Sequence, residues 1–115
     1  MERDELLMQF GFTRPFTKVL LYCAKHKDEN IRLHDVEREM DLRQPEVSIA
    51  MTDLVERKWI TVKILPGQRK KGHPGKSYRL VVSSKWIAEC IATDIYKRID
   101  KDKKLAEDIR AAMKG

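Results

Sequence analysis

Arg69, Lys70, Lys71, His73 and Lys76 fall inside one stretch, "PGQRKKGHPGK" (66–76), that contains no acid. Such a group grips a polyanion: each cation that neutralises a phosphate releases a condensed counterion. Three readings are open for the stretch taken alone, namely a solvated loop, a phosphate cradle, or a clamp on a polyanion. The cradle is the poorest of them, because no G-x-x-x-x-G-K-[ST] occurs and the residues that follow are strand-like rather than helical. A second group lies some twenty residues upstream: Arg43, Gln44, Pro45, Ser48, Ile49 and Thr52. Gln pairs bidentately with adenine, Ser and Thr serve as donors or acceptors, and an apolar side chain meets a thymine methyl. Arg43 suits a phosphate. Ile49 either meets a base, packs under another helix, or is simply exposed.

The charge distribution favours the polyanion. The chain has 115 residues and a formal net charge of +6. Residues 43–82 hold 9 Lys/Arg against 3 Asp/Glu, which equals the whole excess, while residues 1–42 are net −2 and residues 83–115 net +2. A basic patch confined to one segment is the footprint expected for nucleic acid. Arg14, Arg32 and Lys58 are further candidates for phosphate contact or plain surface charge.

Other functions lack support. No nucleophile with a convergent base, no metal-ligand cluster and no nucleotide-binding loop is present, so neither an enzyme nor a metal or other cofactor is expected. Cys23 and Cys90 form no CxxC and share no ligand spacing with His26, His34 or His73, which reads as two reduced core thiols. No leader-like N-terminus and no run of about 20 apolar residues occurs. A cytoplasmic, nucleoid-associated protein with no membrane partner is expected.

These groups need elements to position them. Residues 4–10 read as a short helix ended by Gly11. Thr13 caps a second helix, in which Phe16, Val19, Leu20 and Cys23 recur at i, i+3, i+4, i+7. Residues 31–33 read as a short extended piece and 34–40 as a brief helix. After the turn 41–44, Pro45 opens a helix at 44–57 with Val47, Ala50, Met51 and Leu54 on its inner arc. The outer arc carries Pro45, Ser48, Ile49, Thr52, Asp53 and Glu56. Residues 59–65 and 76–82 alternate as strands around the basic stretch. Two helices close the chain, at about 84–99 and 102–113.

Two short helices, a tight turn and an immediate hairpin form a winged helix-turn-helix. In that arrangement the helix at 44–57 enters the major groove and the hairpin reaches backbone or minor groove. The fold class is therefore mainly α with a small β-hairpin, an α+β winged helix-turn-helix with extra terminal helices.

The stretch "LLMQFGFTRPFTKVLLYCAKH…LHDVEREMDLRQPEVSIAMTDLVERKWITVK", together with "KGHPGKSYRL", resembles the winged-helix domain of TrmB-like and, more broadly, MarR-like regulators of archaeal type. The resemblance covers about residues 6–82. The hairpin is similar to G-R-P-x-K-x-Y-x-L, with His73 at the usual Arg position. Asp41 stands where Gly is common, Ile49 where an Arg is often found, and Glu46, Asp53 and Glu56 add acids to the helix. The chain ends near residue 115 without the large effector domain of TrmB-like proteins, so sugar sensing is not carried over and any small-molecule effector is unassigned.

The helix at 84–99 has an apolar arc of about 220°, wider than an ordinary surface helix uses. Residues 84–113, with 4–10, are therefore expected to pair two copies, through Leu7, Trp86, Ile87, Ile91, Ile95, Ile99, Leu105 and Ile109. The expectation is a homodimeric, sequence-specific double-stranded DNA-binding repressor: residues 1–83 bind DNA and 84–115 dimerise. The alternative is a winged-helix protein–protein adaptor with only non-specific affinity for nucleic acid.

Overall fold

The structure is a computed structural model that describes residues 2–70 and 73–114, with the side chains of 65–74 outside the description. Among the described residues, five helices and one antiparallel hairpin follow in the order α1 (Arg3–Phe10), α2 (Arg14–Lys25), α3 (Leu33–Met40), α4 (Gln44–Glu56), β1 (Ile60–Lys70), β2 (His73–Leu80) and α5 (Ser84–Ala112). The winged helix-turn-helix is present. The chain divides into two compact units, Met1–Ser83 and Ser84–Gly115.

Local chemistry sets the boundaries of the first unit. Gly11 ends α1 at φ +126°, a conformation a side chain would strain, and its N–H and that of Phe12 satisfy carbonyls of the last turn. The Thr13 hydroxyl accepts from Phe16 N at 3.3 Å and so starts α2, with Pro15 in the first turn. Asp41 ends α3 in the left-handed region at φ 53°, ψ 54°, which Asp tolerates better than most residues. Lys18 Nζ donates to the Met40 carbonyl at 3.1 Å and supplies a cation to that helix C-terminus.

The core is built from the inner stripes. Val19 and Cys23 of α2, Val36 of α3, and Val47, Met51 and Leu54 of α4 are all fully or almost fully buried. Trp59, Ile60, Tyr78 and Leu80 close it from the hairpin side. Ile31 exchanges two backbone hydrogen bonds with Tyr78, at 2.7 and 2.8 Å, and ties the α2–α3 connection to β2.

Three expectations need correction. The extended piece expected at 31–33 stops at Arg32: Ile31 bridges to Tyr78, Arg32 is extended at φ −109°, ψ 142°, and Leu33 opens α3. The strands are longer at the tip and shorter at the base than 59–65 and 76–82. They reach Lys70 and His73, Trp59 precedes β1, and Val81 and Val82 follow β2. Pro66 and Pro74 have no N–H to donate, and the ladder passes them through an irregularity between Leu65 and Lys70 before pairing resumes at Lys70 and His73. Finally, one 29-residue helix replaces the two expected at 84–99 and 102–113. No Gly or Pro lies between Ile99 and Leu105, and the Asp100-to-Lys104 spacing favours helix.

No described helix is long and apolar enough to cross a membrane. Burial pushes the Cys23 thiol from its ordinary 9.0 up to about 12. Above pH ~9 the unfolded chain releases this proton while the folded chain holds it, so stability is complete below that pH and declines as pH rises towards 12. Denaturant unfolding should lose up to about 1.4 kcal/mol per pH unit from this group. Comparing wild type with Cys23→Ala isolates it: the variant should show the flatter decline between pH 9 and 10.5, and parallel curves would refute the assignment.

Candidate nucleic-acid interface

α4 is amphipathic because its inner stripe is spoken for. Val47, Ala50, Met51 and Leu54 are buried, so the opposite arc must face outward. Pro45, Ile49, Thr52 and Glu56 are exposed on that arc, with Ser48 half-buried at its flank. Ile49 is the informative residue: it is 72% exposed, an isoleucine held in solvent at the centre of the outer face. Among the described residues, none covers it as a packed helix would.

Polar groups on the arc are partly committed. Thr52 Oγ1 donates to the Ser48 carbonyl at 2.9 Å, so its hydrogen is used and its lone pairs remain. Thr52 therefore presents an acceptor. Glu46 accepts from the Arg43 backbone N–H at 3.0 Å and lies 3.7 Å from Arg43 Nε, capping the helix start. Asp53 accepts from Arg57 Nε at 2.9 Å, in the favourable acid-first i,i+4 order. Two of the three acids on this helix are thus engaged by its own end residues. Arg43 and Gln44 are exposed at its N-terminal end.

The wing lies beside this face in sequence and is tied to it through a three-residue turn. Lys58 takes φ +66°, and its N–H and that of Trp59 donate to Val55 and Leu54 carbonyls. Arg69 and Lys70 belong to β1 and His73 to β2, but their side chains lie outside the described residues, as Lys71 does entirely. Lys76 is described and exposed, opposite Ile64 in the ladder. Arg14, Arg32 and Lys58 are exposed on three separate segments.

Sequence reasoning missed Arg57. Its guanidinium lies 5.1 Å from the Phe12 ring centroid, 5.5 Å from Phe16 and 5.3 Å from Trp59. Phe10, Phe12 and Phe16 continue this as a row, with centroids 4.9 and 4.5 Å apart. The Asp53–Arg57 spacing was the available signal, although nothing in the order of residues brings the two distant rings, Phe12 and Phe16, to this side chain.

Ile95, Ile99, Leu105 and Ile109 of α5 are exposed, as is Met113 just past its end. At about 100° per residue, Ile95, Ile99, Ala106, Ile109 and Met113 share an arc of roughly 80°, with Leu105 at its edge. Ile87 does not belong to this set: it is only 6% exposed and already buried within the chain. Ile91 and, on α1, Leu7 are half-buried. Trp86 is exposed but about 180° around the helix from Ile95, so one flat contact cannot take both.

No protein-family model matches the sequence, and no curated protein matches it. Solved structures do match in fold. A possible transcriptional regulator from Methanosarcina mazei superposes with a TM-score of 0.69 at 15% identity, covering 96% of this chain and 88% of that one. MepR, a transcription regulator of the multidrug efflux pump MepA of Staphylococcus aureus, gives 0.56 at 22%, covering 96% and 81%. A MepR–DNA complex gives 0.54 at 20%, covering 96% and 85%. At these identities the likeness is one of fold alone, a winged helix-turn-helix.

Proposed function

We propose that the chain is a dimeric, sequence-specific duplex-DNA-binding regulator that represses by occlusion. The observation carrying this reading is the outer face of α4, where Ile49 is solvated at the centre while two neighbouring acids are held by helix contacts. That MepR, a protein of the same fold, is recorded in a complex with DNA supports it further. In this mechanism the wing, through Arg69, Lys70, Lys71, His73 and Lys76, supplies charge and register on the backbone, and α4 supplies sequence choice. Gln44, Ser48, Ile49 and Thr52 face bases, and Arg43 and Pro45 meet the flanking backbone. Thr52, whose hydrogen is committed, accepts from an adenine or cytosine amino group, and Ile49 covers a thymine methyl.

The second unit provides the pairing. Among the described residues, the Ile95–Met113 face of this helix is exposed. A second copy of α5 fits this face, since each copy brings the same apolar stripe.

Selection from a random duplex library at about 150 mM salt, where purely electrostatic binding fades, tests the reading. An enriched motif is expected, and Ile49→Ala should relax preference at one thymine, at a cost of about 1 kcal/mol, with the salt slope unchanged. If no sequence is enriched and binding vanishes at that salt, the chain is an adaptor rather than a regulator.

A further inference from the structure

We infer that Arg57 is the positioning residue that sets the recognition helix and the wing in one fixed relation, an inference that rests on the DNA-binding reading above. Arg57 caps the C-terminal end of α4, and Trp59, two residues on, leads into β1. Between them Lys58 holds a left-handed conformation that costs a non-glycine residue energy, so the turn needs support from outside itself. Arg57 supplies it. Its Nε is held by Asp53 at 2.9 Å, on the helix side. Its Cζ lies within 5.5 Å of the ring centroids of Phe12, Phe16 and Trp59, which come from the α1–α2 connection, α2 and the root of the wing. Phe16 and Trp59 are almost wholly buried, so two of these rings cannot move without disturbing the core. One guanidinium therefore keys the recognition helix, the α2 scaffold and the wing to one another. A planar, permanently charged group stacks and pairs at once, which a lysine ammonium cannot do.

The test uses the full chain, first without DNA. The Trp59 N–H donates to Leu54 O at 3.2 Å and the Val81 N–H to Trp59 O at 2.9 Å, so both amides report the wing root. Arg57→Met keeps length and removes charge and planarity. Exchange at Trp59 and Val81 should quicken roughly tenfold, the worth of a partly buried cation–π cluster, while the amides of α2 hold their rates. Unchanged exchange at the root overturns the inference. So does equal acceleration throughout α2, which would make Arg57 a general stabiliser. With DNA, Arg57→Met should bind roughly tenfold more weakly, and Arg57→Lys should recover only part of the loss. Asp53→Asn in the Arg57→Met background should not restore binding. If it did, Arg57 would merely mask an acid, and the positioning role would fall. A wild-type chain that bound no duplex would sink the DNA reading instead, leaving the exchange result to decide the role of Arg57 at the turn.

Discussion

Replacing Arg69, Lys70 and Lys71 together by glutamine is expected to weaken binding to every duplex and to flatten its dependence on salt. Each phosphate contact contributes about 0.9 to the slope of log K against log salt, so losing three lowers the slope by up to about 2.7. The lines for wild type and variant should converge near 1 M salt, where the released counterions no longer carry a gradient. At 0.1 M they should then stand about 2.7 log units apart, several hundredfold. Because backbone contacts carry no sequence information, the selected motif should survive unchanged. Fluorescence anisotropy on a selected and a scrambled duplex, at four salt concentrations, separates these effects. An unaltered slope would remove the wing from the interface. A loss confined to the selected duplex would move sequence choice from α4 to the hairpin.

That division of labour explains which parts of the site were legible in the sequence. The stripe Val47–Ala50–Met51–Leu54 repeats at helical spacing, and its burial dictates by elimination what faces out, Ile49 included. Thr13 and Gly11 announce α1 and α2 because their chemistry is local. Longer-range facts were not legible in this way. Glu46 and Asp53 read in the sequence only as acids added to the helix; in the structure the Arg43 backbone N–H at 3.0 Å and Arg57 Nε at 2.9 Å engage them. Both are i+3 or i+4 neighbours, so the spacing was there, but which rotamer a surface acid adopts depends on its surroundings. The cluster around Arg57 combines rings 45, 41 and 2 residues away in sequence, and only tertiary packing assembles it. The hairpin tip misled in the opposite direction. Gly, Pro and Lys read as a loop, yet pairing resumes at Lys70 and His73, because a register irregularity carries the ladder past the prolines that cannot donate to it.

The continuity of α5 changes what its apolar residues can do, and it yields the second large effect. Read as two helices, Ile95 and Ile109 belong to separate patches; on one helix of 29 residues they share a stripe. The Ile95–Met113 portion of that stripe is a single exposed seam that a second copy can cover along its length. Ile99→Glu with Ile109→Glu places two carboxylates in each copy's seam, four in a paired structure; position 99 has Lys103 at i+4, whereas position 109 has no cation at i±3 or i±4 on its own helix. Burying even one unpaired carboxylate costs several kcal/mol, so the pair should dissociate. Since both positions are exposed within the single chain, the monomer should retain its fold, with helical content and the unfolding of the first unit unchanged. Sedimentation at micromolar concentration should give a dimer for wild type and a monomer for the variant. A duplex with two half-sites about 34–36 Å apart should then lose the gain from simultaneous engagement, roughly a hundredfold or more, whereas a single half-site should bind both proteins alike. Equal loss on both duplexes would mean that α5 supports the winged unit directly. A variant that remained dimeric would place the contact elsewhere, with Leu6 and Met8 on α1, both exposed, the next surface to substitute.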